Sequence, residues 1–116
     1  MVFSYTTSPA AHIMFDNNHD FSAINFDEGN YISIEFAGIL KSSKNKEQAK
    51  EFMKFILSPE FQLVIPSTNI MYPVINIKNM PIAYEALRIP NKALQINPKV
   101  LNSKKQKWIE EWLNAT

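Results

Sequence analysis

MVFSYTTSPAAH (residues 1–12) opens the chain in the pattern of a strand. Between Val2 and Thr7 most residues are β-branched or aromatic, types that fit a pleated surface. Alternation would set Phe3, Tyr5 and Thr7 on one face and Val2, Ser4 and Thr6 on the other. No charged start, apolar stretch or small-residue cleavage site precedes it, as a secretory leader would require. Such a strand has no local hairpin partner, so its ladder must be completed by something distant. The expectation is either a tied-down terminus or a chain that begins in the middle of a larger fold.

Working outward, residues 31–39 (YISIEFAGI) also alternate, with Ile32, Ile34 and Phe36 opposite Tyr31, Ser33 and Glu35, and read as a half-buried strand after a turn at Gly29. The stretch between, AHIMFDNNHDFS, is rich in Asn and Asp and reads as a loop. In NKEQAKEFMKFILS, Ala49, Phe52, Met53 and Ile56 recur at helical spacing while Glu47, Lys50, Glu51 and Lys54 fall off that stripe. Ser58 and Pro59 then combine a capping serine with a proline at the first helical position, predicting a short helix that Pro66 ends. IPSTNIMYPVINI returns to β-like residues, where Pro73 restricts any strand to an edge. Pro81 and Pro90 bracket a short helical segment around residues 83–87. Asn97 and Pro98 repeat the cap signal before a closing helix whose Leu101, Trp108, Ile109 and Trp112 share a broad apolar face, predicted to be core.

Composition narrows the function. The 116 residues are 46% hydrophobic and 20% charged, which is globular composition fit for one domain. A formal net charge of +1 gives no general attraction for nucleic acid or an anionic membrane. Zero cysteines excludes disulfides, thiolate metal sites and cysteine nucleophiles, and two glycines leave no room for the common phosphate-binding loops. No apolar run approaches the length of a membrane span. His12, His19, Asp16 and Asp20 are potential metal ligands in one segment but follow no recognised spacing, so no metal site is expected. Glu110 and Glu111 are adjacent on a helix, point in different directions and make a poor acid/base pair, and no Ser/His/Asp set stands out. An enzyme is therefore not expected, nor is any cofactor.

Two stretches carry recognition chemistry. Tyr5 lies among Thr6, Thr7 and Ser8 where the first strand runs into Pro9; an aromatic ring beside hydroxyls suits a flat polar or cationic ligand, although simple sheet packing explains the same residues. STNIMYPV offers Ser67, Thr68 and Asn69 as hydrogen-bonding groups and Tyr72 as a second ring, or merely a polar turn into an edge strand.

Taken in order, SYTTSPAAH, FDEGNYISIE, FMKFILSPEFQ, IPSTNIMYPV and QKWIEEWLNA resemble the C-terminal third of bacterial periplasmic thiamine-binding proteins, the substrate-binding components of thiamine ABC importers. The likeness runs nearly the whole chain. It implies an α/β fold: the C-terminal portion of a two-lobed periplasmic binding protein, an incomplete sheet flanked by helices. Residues 1–116 would form a single partial domain, with 1–9 a strand near the inter-lobe crossing and 31–116 mostly one lobe. The implied ligand is thiamine or its phosphate ester, and the implied partner of the full-length protein is an ABC permease in a periplasmic setting. Nucleic acid is not an implied partner.

The resemblance also implies site residues. Tyr5 corresponds to a family ring that stacks on the ligand, with Thr6 and Asn69 as polar contacts and Tyr72 in the second motif. The family typically writes that motif NWMYP, and its tryptophan is Ile70 here, which offers packing surface but no π-system to a cationic thiazolium. Ala11 stands where a further cleft tyrosine is frequent, and Thr68 replaces a usual glycine. These departures keep open a related binder of another small cation or ferric iron. A further alternative is a fragment that binds no ligand and forms homo-oligomers through exposed edges and apolar faces.

Overall fold

The computed structural model describes residues 1–115. Its elements are α1 (Ser8–Asp16), β1 (Asn30–Tyr31), α2 (Lys46–Phe55), α3 (Pro59–Gln62), α4 (Ile65–Thr68), a 3-10 turn (Ile82–Ala86), β2 (Ala93–Leu94) and α5 (Pro98–Ala115). Helices dominate, joined to one small two-stranded parallel sheet, consistent with the expected partial α/β fold.

The opening strand does not form. Residues 1–5 carry no regular structure, and Val2 and Phe3 are exposed. The β-like composition is there, but among the described residues no second strand lies alongside to accept its ladder, and pairing, not propensity, defines a strand. Instead the Ser8 amide donates to the Tyr5 carbonyl at 3.0 Å, starting a turn that leads into α1. Pro9 lies in the first turn, where its missing amide costs nothing, and Ala10 and Ala11 favour helix. The predicted loop is thus helical as far as Asp16. Asn17, at φ 48°, is its left-handed stop, with the Asn18 amide returning to the His12 carbonyl at 3.0 Å.

The second strand is likewise shorter than its alternating pattern. Asn30 and Tyr31 pair in parallel with Ala93 and Leu94, and the Ile32 amide donates to the Leu94 carbonyl at 3.0 Å. Beyond that point residues 32–40 have no ladder and are exposed. Gly29 makes the pairing feasible: its φ of +109° suits glycine, and a Cβ there would lie 2.6 Å from the Lys92 carbonyl oxygen.

The local helix signals fare better. In α2 the predicted charges pair along the surface, Lys50 with Glu47 and Lys54 with Glu51, each at 2.8 Å. Being exposed, such pairs contribute at most about 1 kcal/mol each. Ser58 caps α3 by accepting from the Phe61 amide at 3.3 Å. Buried Gln62 clamps the chain on either side of α3, donating to the Ile56 carbonyl at 2.7 Å and accepting from the Val74 amide at 2.8 Å. Pro66, however, occupies the first turn of α4 and so opens a helix instead of closing one. Asn97 accepts from the Lys99 amide at 2.9 Å at the start of α5.

The core is small. Ala10 of α1, with Ala83 and Tyr84 of the 3-10 turn, forms the buried apolar cluster, flanked by Ile13, Met14, Met80 and Leu87. Trp112, predicted as core, is 61% exposed. Its ring lies 6.2 Å from that of Phe3, and with Trp108, Ile109 and Leu113 it lines a shallow groove of about 310 Å³. The accessible surface of 10034 Å² compares with about 6,500 Å² for a compact monomer of 13.4 kDa. A radius of gyration of 17.7 Å, against about 13 Å for a compact domain of this length, gives the same result. Amphipathic faces have formed here and remain largely uncovered.

Candidate functional site

Tyr84 organises the site. Its ring packs into the α1 cluster, and its hydroxyl donates to the Pro66 carbonyl at 2.9 Å, with the Met71 carbonyl at 3.4 Å. One side chain thereby ties the helix that continues from SYTTSP to the loop that carries STNIMYP. Burial, reinforced by neighbouring Tyr72, pushes the Tyr84 phenol up to about 12. Burial raises Tyr72 as well, and its ring meets Tyr84 edge-on at 5.5 Å. Both phenols are neutral donors at physiological pH.

The loop after α4 is held at several points. The Ser67 and Thr68 hydroxyls both donate to the Val64 carbonyl, at 3.1 and 2.8 Å. Asn69 donates through Nδ2 to Glu35 Oε2 at 3.3 Å. Between these restraints Ile70 takes φ 54°, a left-handed conformation that crowds a β-branched side chain. Strain of this kind persists only where surrounding contacts over-determine the backbone, and it is frequent at ligand clamps. Asn69, Ile70 and Tyr72 are therefore displayed together on one restrained loop.

The other half is looser. Tyr5 is 70% exposed, Thr6 is half-buried, and Thr7 is buried at the start of α1. Among the described residues no ring contact joins Tyr5 to Tyr72; the two halves are connected through α1 and Tyr84. Tyr84 does not stand out in the sequence. Its only local signal is an aromatic in a short helix between prolines, because its partners lie 18 and 13 residues away.

The remaining candidates are otherwise engaged. His12 stacks on Phe21 at 4.0 Å and lies 3.5 Å from Asp16, and no group of three or more His, Asp or Glu side chains converges among the described residues. Glu110 accepts from Gln106 and Glu111 pairs with Lys107, so the two carboxylates face different partners. Among the described residues no helix is long and apolar enough to cross a membrane.

The loop presents an aromatic and an amide, and through Tyr84 it is tied to a helix entered by a second aromatic and hydroxyls. Residues 2–108 match the family of bacterial extracellular solute-binding proteins, and the chain belongs to that family. Within it, the chain is 42% identical over 115 residues to the thiamine-binding periplasmic protein of Escherichia coli K12, covering 99% of this chain and 35% of the relative. It is 41% identical over 117 residues to that of Brucella melitensis, covering 100% and 35%. The Haemophilus influenzae protein of the same name is 35% identical over 113 residues, covering 97% and 33%. A solved periplasmic thiamin binding protein superposes with a TM-score of 0.83 at 42% identity, covering 97% of this chain and 35% of the other. The chain thus spans about a third of the length of these relatives, and none of their names denotes an enzyme.

Proposed function

We propose that this chain carries thiamine-contacting groups of a periplasmic solute-binding protein that captures its ligand without catalysis and delivers it to an ABC permease. The observation supporting this most directly is the convergence, through Tyr84, of the two motifs that match thiamine-binding relatives. In this reading Tyr5 stacks on a thiamine ring, Thr6 and Asn69 supply polar contacts, and Ile70 and Tyr72 form an apolar and aromatic wall. The chain would correspond to a single partial domain, residues 1–9 near a crossing between lobes and 31–116 mostly within one. Calorimetric titration of thiamine into wild type and Tyr5→Ala tests it. Loss of a cation-π contact should weaken binding by about 1 kcal/mol or more. Equal affinities would remove Tyr5 from the site.

Ferric iron is the weaker cargo. Iron-binding tyrosines act as phenolates, commonly in pairs, whereas no two tyrosines are adjacent in this sequence and the Tyr84 hydroxyl spends its proton on the Pro66 carbonyl.

The excess surface favours a second reading: association between copies through the Trp108 and Trp112 face of α5. Mass measured across a concentration series tests it, and a strict monomer throughout would rule it out.

A further inference from the structure

We propose that Glu35 is a cation-selecting residue of the ligand site, its carboxylate held by Asn69 against the positive ring of the solute. The inference rests on the thiamine reading above and adds to it a charge that none of the residues considered so far provides.

A carboxylate on an exposed segment is ordinarily just solvated, and three observations separate Glu35 from that case. First, its Oε2 accepts from Asn69 Nδ2 at 3.3 Å across 34 residues of sequence, joining residues 32–40, which otherwise have no ladder, to the restrained loop of the second motif. Second, Glu35 is the sole charged residue in either of the segments so joined, residues 29–40 and 61–77. Its partner is a neutral amide that leaves the charge uncompensated, as Gln106 does for Glu110, but Asn69 reaches Glu35 from a distant segment whereas Gln106 lies one turn away on the same helix. Third, the residue beside Asn69 is the strained Ile70, so the amide that orients Glu35 belongs to a stretch of backbone fixed at a cost in conformational energy.

The chemistry matches the solute. A thiazolium carries a fixed positive charge, and a phenol such as Tyr72 answers it only with a ring face. Ile70, beside Asn69, offers packing surface but no π-face, which makes a nearby carboxylate the stronger remaining source of attraction. A charge-assisted contact of this kind discriminates between cationic and neutral ligands more than it raises general affinity.

The test titrates wild type and Glu35→Gln with thiamine and with the free, neutral aminopyrimidine half of thiamine, at low and high salt. Glutamine keeps the shape and an oxygen for Asn69, so the loop should stay in position. The expected result is about three- to tenfold weaker thiamine binding, a flatter salt dependence, and unchanged binding of the neutral half. Equal thiamine affinity and equal salt dependence in the two proteins would overturn the role of Glu35 and leave the thiamine reading intact. Equal losses for both probes would make Glu35 a structural residue, which also overturns the proposal. Failure of wild type to bind thiamine would remove the underlying reading, and this inference with it.

Discussion

Replacing Tyr84 by phenylalanine removes one oxygen and leaves the ring in the α1 cluster. The hydroxyl donates to the Pro66 carbonyl at 2.9 Å in a buried setting, so the substitution leaves a buried acceptor without its donor. That costs about 1–3 kcal/mol. A pH dependence accompanies it. The folded phenol ionises near 12, against about 10 in the unfolded chain, so the native state retains a proton that the unfolded state releases. The stability that this group contributes is fully present below about pH 10 and is lost progressively as pH rises towards 12. Urea unfolding followed by circular dichroism near neutrality and through the alkaline range measures both effects. Wild type should lose stability over that range, and Tyr84→Phe should start lower and decline less steeply, keeping only the smaller contribution from Tyr72. A variant within about 0.5 kcal/mol of wild type near neutrality, with the same alkaline slope, would show that Tyr84 does not join α1 to the second motif.

Other positions test the same framework. Gly29→Ala should cost about 1–3 kcal/mol in urea unfolding, because a Cβ would lie 2.6 Å from the Lys92 carbonyl at a φ of +109°; a neutral effect would contradict the β1–β2 pairing. Gln62→Ala strands the Val74 amide and the Ile56 carbonyl and should cost about 2–3 kcal/mol, while amide exchange at Val74 accelerates. Ile70→Gly relieves left-handed strain and should raise the urea midpoint by the equivalent of about 1 kcal/mol. A lower midpoint would mean that Ile70 packing outweighs its strain.

Local features are legible in the sequence. The charge pattern of α2, the Ser58 and Asn97 caps and the closing helix α5 depend on residues a few positions apart, and the structure contains all of them. Pairing and burial are non-local, and there the pattern is a poor guide. The alternation at residues 31–39 is real, but β2 spans two residues and supports little more than the start of it. The β-like opening has no neighbouring strand among the described residues, and the apolar face of α5 is largely uncovered, so Trp112 is exposed despite a pattern that reads as core. Pro66 misleads because a proline suits the start of a helix as well as the point just beyond its end. At the site, resemblance supplies Tyr5 and the residues around Ile70. Tyr84 and Glu35 emerge only from hydrogen bonds spanning 18 and 34 residues.

The most direct measurement is a backbone amide NMR titration of this chain with thiamine, carried to saturation. The expected result is a saturable set of shifts confined to Tyr5, Thr6 and Thr7, to Glu35, and to Asn69, Ile70, Met71 and Tyr72, with α5 unaffected. Shifts that never saturate, or that fall on the Trp108 and Trp112 face while both motifs stay silent, would contradict a thiamine site built by those motifs.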